Sequence, residues 1–203
     1  MKRIVVTGGP GAGKTASLEV AREALCDDVG FARESASIVF GGGFPREKRE
    51  RAECAAQRAI FHVQHELESL FEDRADLQLV LCDRGTIDCA AYWPRAEEDF
   101  YRDLGTTRAA ELARYAVVIH LRPPPRTDGY VRRGLRIESA AEAARIDARI
   151  EHCWRDHPRR FFVDHVHDFP SKMSRVLALI EAELTCLHPG QASKLSELAN
   201  GPP

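Results

Sequence analysis

The stretch RIVVTGGPGAGKT, residues 3–15, decides the fold. Its mostly apolar start, RIVVT, is suited to a buried strand. The glycine-rich GGPGAGKT that follows packs poorly as a helix interior and builds no core. It matches G-x-x-x-x-G-K-[ST] in full at Gly8, Gly13, Lys14 and Thr15. The motif requires a strand before it and a helix after it, and an amphipathic helix is expected over 12–26. Glycines let successive backbone N–H groups point at one anion, and the helix N-terminus adds partial positive charge. The loop from Gly8 through Gly9, Pro10, Gly11, Ala12, Gly13, Lys14 and Thr15 to Ala16 is therefore expected to cradle phosphate groups. Lys14 would reach the β- and γ-phosphates of a nucleoside triphosphate, and the Thr15 hydroxyl would ligate Mg²⁺.

A phosphate loop of this type needs a carboxylate at the end of a neighbouring buried strand. LVLCD supplies Asp83 after four apolar residues, placed to hold the metal or its water shell. Further apolar runs at 29–35, 115–121 and 159–164 read as strands, and helical patterns occupy 47–73, 106–114, 137–154 and 170–184. Ser139 and Glu142 have capping-box spacing at the start of the third of these helices. Buried runs without two-residue alternation, separated by helices, indicate a parallel sheet covered on both faces. The expectation is one α/β domain of about five strands over residues 1–184, followed by a weakly ordered tail at 185–203 with few large apolar residues.

With 203 residues the chain can bury a sizeable core without disulfides. Its 29 basic and 31 acidic side chains give a net charge of -2, which argues against a nucleic-acid protein built on a broad basic face. The six cysteines, at 26, 54, 82, 89, 153 and 186, form no C-x-x-C pair and read as buried thiols in a reducing compartment. The start MKRIVVTGG is no signal peptide, and no run approaches the ~18 apolar residues of a membrane span. A cytoplasmic, membrane-free protein is expected.

Binding of a nucleotide does not settle the chemistry. A GTP switch carries an Asn/Thr-Lys-x-Asp motif after a late strand, but here YAVVIHL is followed by RPPPRTDGY. A hexameric motor needs more chain beyond its second acid, and that acid is normally followed by glutamate, whereas Asp83 precedes Arg84. Small phosphoryl-transfer kinases remain.

The sequence resembles the AAA-domain group of small P-loop proteins close to nucleoside and nicotinamide-riboside kinases. The resemblance covers about residues 1–184 and rests on VTGGPGAGKT, ARESAS, LCDRGTIDCAAYWP and GLRIES. It implies a doubly wound, mostly parallel five-stranded sheet of the nucleotide-kinase type, with a lid at about 122–136. It also implies that Glu34 closes the second strand and faces an acceptor hydroxyl, and that Arg84 binds the acceptor or the transferring phosphoryl. Asp88 would position substrate hydroxyls, and Tyr92 and Trp93 would wall the acceptor pocket. Among the lid arginines, Arg136 is matched best to the γ-phosphoryl, ahead of Arg132, Arg133 and Arg126.

Other clusters carry blander readings. The charges of EKRERAE (47–53) form a solvated helix face, and His62 with His65 lacks further metal ligands. The residues His165 and His167, or Arg159 and Arg160, would at most border the nucleotide. The leading expectation is a Mg²⁺-dependent transfer of phosphoryl from ATP or GTP to an unidentified small hydroxyl-bearing acceptor such as a nucleoside. The alternative is a nucleotide-sensing NTPase with slow hydrolysis and no such acceptor.

Overall fold

In a computed structural model, which describes residues 1–25, 27–124, 140–165 and 168–184, the N-terminal apolar run is β1 (Lys2–Thr7). It lies at the centre of a five-stranded parallel sheet with β2 (Val29–Ala32), β3 (Leu79–Asp83), β4 (Val117–Leu121) and β5 (Arg160–Val163), in the order β2-β3-β1-β4-β5. The side chains of β1 alternate between two apolar layers. Val5 joins Val80, Cys82 and Val118 on one face, while Ile4 and Val6 join Leu81 and Ile119 on the other. Both layers are roofed by helices, so the inner strands read as continuous apolar runs instead of alternating ones, while Phe161 and Phe162 of the edge strand β5 are exposed.

On the second face, α1 (Lys14–Ala24) and α8 (Phe169–Glu181) supply Leu18, Val176 and Ile180. On the first face, α3 (Glu50–Ser69), α4 (Asp88–Ala91), α5 (Glu97–Asp103) and α7 (Ala140–Cys153) pack around Trp93, Phe100 and Trp154. Two further helices are α2 (Ser35–Gly41) and α6 (Arg108–Ala113). The short α2, α4 and α5 fall where the sequence reads as strand end or irregular chain. Helices this short hold only when packing supplies their stability, and Cys89, Ala90, Ala91 and Phe100 are all buried.

Chain direction and register place the site. Val6 pairs with Asp83, and Thr7 pairs with His120. The loop that leaves β1 therefore emerges beside the end of β3, in the crevice at the carboxyl ends of the strands where open α/β sheets bind ligands. Gly8 makes this exit possible. Its φ is +131°, and a Cβ there would lie 2.1 Å from the Leu121 carbonyl oxygen. Among the described residues no helix is long and apolar enough to cross a membrane. The expected lid beyond residue 124, with Arg126, Arg132, Arg133 and Arg136, lies outside the described residues, as do Ser139, His167, Cys26, Cys186 and the 185–203 tail.

Candidate functional site

The phosphate loop opens onto a cleft of about 690 Å³, lined on one side by Pro10, Gly11 and Gly13 to Ala16, and on the other by α2, α3, α4 and α7. Gly13 is the N-cap of α1 and offers no side-chain acceptor, and the first helical turn holds no acidic residue. A helix start left uncapped beside a cleft suits an anion, because its first N–H groups lack partners within the helix. By contrast, α8 is closed by the Asp168 side chain, which accepts from the Ser171 N–H.

Lys14 is buried, and its ammonium donates to the carbonyl oxygens of Gly8 and Gly9 at 2.8 and 3.0 Å. Burial, and next the Arg84 charge, pull its pKa down to about 8 against the opposing pull of Asp83, Glu34 and Asp88. Thr15 Oγ1 donates to Asp83 Oδ2 at 3.2 Å. The other oxygen, Asp83 Oδ1, is buried without a partner among the described residues. Burial raises the Asp83 pKa despite the nearby lysine. An orphaned carboxylate oxygen next to a threonine hydroxyl fits a magnesium ion, which takes oxygen ligands.

Arg84, the residue after Asp83, has φ +73°. A left-handed non-glycine residue costs ~1–3 kcal/mol and persists only where its surroundings dictate it. They do so here. The Arg84 N–H donates to Val6 O, Nε donates to Glu34 at 2.8 Å, and Nη1 donates to Asp88 at 3.1 Å, with the guanidinium over the Tyr92 ring. The turn is held from behind by a buried polar network. Tyr115 accepts from the Thr86 N–H and donates to Glu68, and Thr86 Oγ1 donates to Glu111.

Glu34 lies two residues beyond β2, as the N-cap of α2, instead of closing the strand. Desolvation pushes its carboxyl up, but Arg84 and the Ser37 hydroxyl outweigh this and hold it below the usual range. Glu34 is thus an anion on the cleft wall. Asp88 also meets the cleft, but its oxygens are taken by Thr7 Oγ1, by Trp154 Nε1 at 2.6 Å and by Arg84. It therefore holds Arg84 in place and is not open to a substrate hydroxyl. Tyr92 lines the cleft, whereas Trp93 is buried in the core against Phe100 and walls nothing. Phe100 of α5 packs edge-on against the indole, and the Arg58 guanidinium of α3 lies over it.

Within the loop, Gly8, Gly9 and Ala12 do not line the cleft. The Gly9 N–H is held at 2.6 Å by Asp147 Oδ1, and Ala12 O accepts from the buried Lys172 ammonium of α8 at 2.9 Å. The Arg122 guanidinium is bonded to Glu151, and the Arg122 carbonyl oxygen shares the Lys172 ammonium with Ala12 of the loop. Arg159 pairs with Glu183, and His65 contacts Arg114 and Glu111. The described residues hold no cluster of three or more His, Cys, Asp or Glu side chains placed to hold a metal among themselves. Cys82 and Cys89 are buried thiols whose pKa burial raises, which leaves them unreactive.

Cleft residues that the sequence reading missed include Gln57, Arg145 and Arg149. Gln57 of α3 is buried at 8% exposure and lines the cleft, and its side-chain amide has no hydrogen-bond partner among the described residues. Arg145 and Arg149 of α7 also line it; Arg149 donates to Trp93 O, while Arg145 is exposed and makes no ion pair among the described residues. Their positions at i and i+4 of one helix were legible, but which way that face points was not.

A parallel sheet with a phosphate loop at its central strand, a strand-end acid beside the loop and an open cleft define a P-loop protein of the nucleotide-kinase type. The chain belongs to the AAA-domain family, whose model matches residues 3–172. It is similar in structure to deoxyadenosine kinase from M. mycoides, solved with bound dATP, at a TM-score of 0.59 and 13% identity, covering 89% of this chain and 100% of that one. It is similar also to thymidylate kinase from Candida albicans, at a TM-score of 0.59 and 13% identity, covering 89% and 91%. No curated protein matches the sequence. At these identities the likeness is one of fold.

Proposed function

We propose that the protein binds a Mg²⁺–nucleoside triphosphate, ATP or GTP, at Gly8–Ala16 and transfers its γ-phosphoryl to a small hydroxyl-bearing metabolite such as a nucleoside. The observation that carries this reading is the convergence of Glu34 and Arg84 beside Lys14 on a cleft with room for a second molecule. A charged carboxylate and an unpartnered amide facing such a space support an acceptor site over a nucleotide switch.

In this reading, Lys14 exchanges the loop carbonyls for the β- and γ-phosphates, and the N–H groups at the start of α1 hold the same phosphates. Thr15 and Asp83 hold the Mg²⁺, which neutralises charge on the phosphate oxygens. Glu34 accepts the proton of the acceptor hydroxyl as its oxygen bonds to the γ-phosphorus, while the bond to the β-phosphate oxygen breaks and the nucleoside diphosphate leaves. Arg84 aligns Glu34 and balances its charge. Gln57 offers a donor and an acceptor to a polar edge of the acceptor, between the apolar Phe40, Ile60 and Ile146. Arg136, with Arg132, is assigned to the γ-phosphoryl, and Arg145 adds a cation on the helix that follows.

The test is incubation of the protein with γ-labelled ATP or GTP, Mg²⁺ and a panel of nucleosides and other small alcohols. The expected result is label in one class of acceptor. Label found only in inorganic phosphate, with every acceptor unmodified, would favour a nucleotide-sensing NTPase. The metal assignment has its own check. Asp83→Asn keeps the side-chain size but removes the charge, so nucleotide affinity should fall ~10-fold or more with Mg²⁺ present and little in EDTA. Equal losses in both conditions would make Asp83 a structural strand end.

A further inference from the structure

Three bonds meet at the first peptide of the phosphate loop, the one joining Gly8 to Gly9. Its N–H donates to Asp147 Oδ1 at 2.6 Å. Its carbonyl oxygen accepts from Lys14 Nζ at 2.8 Å and lies 3.5 Å from Arg84 Nη1. A carboxylate and an ammonium thus hold opposite ends of one peptide plane. Glycine on both sides leaves no side chain to set that plane, so its orientation depends on these partners. Asp147 also fits closely against the backbone, since a Cβ on Gly9 would lie 2.7 Å from Asp147 Cβ.

The carboxylate is itself fixed. His120, fully buried on β4, meets the same Oδ1 with Nε2 at 2.9 Å, and its Nδ1 has no partner among the described residues. The proton is therefore assigned to Nε2, facing the carboxylate. A histidine buried in an apolar strand with one nitrogen left unsatisfied is costly, and the structure retains it where it orients Asp147. Asp147 belongs to α7, whose Glu142, Arg145, Ile146 and Arg149 line the cleft, while Asp147 itself reaches the back of the loop. One helix thus touches both the cleft wall and the peptide that carries Lys14.

We propose that Asp147 is a positioning residue for Lys14, acting through the Gly8–Gly9 peptide and oriented by His120. It sets where the ammonium waits and hence how readily it meets a nucleotide, and it makes that setting follow the placement of α7. This rests on the loop's being a nucleotide site. Loss of the carboxylate frees the Gly9 N–H and lets the peptide turn, so the Gly8 carbonyl no longer presents Lys14 to the phosphates.

The test is a double-mutant cycle read as the dissociation constant for Mg-ATP or Mg-GTP, whichever binds the wild type more tightly. Asp147→Ala should weaken binding about tenfold when Lys14 is present and less than twofold in the Lys14→Ala background, because neighbours that act through one another are not additive. Asp147→Asn, whose Oδ1 still accepts both bonds, should restore most of the affinity, to within about threefold of wild type. Equal losses with and without Lys14 would overturn the proposal, since a merely structural role gives additive effects. Should Asp147→Ala fail to fold, Asp147→Asn reads the same cycle, with about threefold loss beside Lys14 and none without it; equal losses overturn it again. Wild type that binds neither nucleotide would remove the nucleotide reading and this proposal together, whereas normal binding with an additive cycle removes only the role of Asp147.

Discussion

Glu34→Gln is expected to lower phosphoryl transfer to an acceptor hydroxyl by ~10²-fold or more, while hydrolysis by water changes only a few-fold. A positioned general base contributes ~10²–10⁴-fold, and glutamine cannot take a proton. The substitution preserves shape. Glutamine Oε1 still accepts from Arg84 Nε, which Glu34 now does at 2.8 Å, so the turn at Arg84 should stand. The carboxyl is held below its ordinary 4.5, mainly by Arg84 against the opposing effect of burial. Glu34 is therefore charged at neutral pH, and any acid limb that this group gives to transfer should fall at lower pH than an ordinary glutamate would give. Phosphorylated acceptor and free phosphate are measured side by side for both proteins. Transfer at the wild-type rate in Glu34→Gln would reduce Glu34 to a counter-ion of Arg84.

Lys14→Ala should remove most of the stabilisation that nucleotide confers. A ligand at ~100 times its dissociation constant adds ~2.7 kcal/mol. For a chain of this length that raises Tm by roughly 5–10 °C, and the variant should show little of it. The pH dependence follows from the lysine pKa of about 8. Phosphate oxygens favour the charged form and raise that pKa, so above about pH 8 binding must take up a proton. Wild-type affinity should then fall by up to ~10-fold per pH unit as pH rises past 8, and the Lys14→Ala profile should lack this slope. The sign for folding is the opposite. Between about 8 and 10.5 the unfolded chain keeps a proton that the folded one gives up, so the contribution of this group to stability rises with pH across that window. Thermal shifts with and without Mg-nucleotide from pH 7 to 9.5 measure both effects. An unchanged shift in Lys14→Ala would defeat the assignment of the loop.

The sequence by itself determined the five parallel strands, the phosphate loop and its strand-end acid. These depend on local patterns: apolar runs too short for helices, a fixed glycine spacing, and an aspartate closing LVLCD. Strand ends shifted by a few residues because fraying ends answer to packing, and Glu34 moved from β2 to the start of α2. What only the tertiary structure decided is which polar groups meet across distant segments. His120 is a polar residue inside the apolar run VVIHL, a signal that the sequence reading did not use, and nothing local names Asp147 as its partner. Likewise Asp88 reads as a free carboxylate until Thr7, Arg84 and Trp154 are seen to enclose it, and Trp93 reads as a pocket wall until Phe100 encloses it. Residues 81 or 138 positions apart in sequence are brought within 3 Å by the sheet register and the helix faces, as at Thr7–Asp88 and Gly9–Asp147. A local pattern carries the period of its own element, but the orientation of one element against another is set by the packing of both cores.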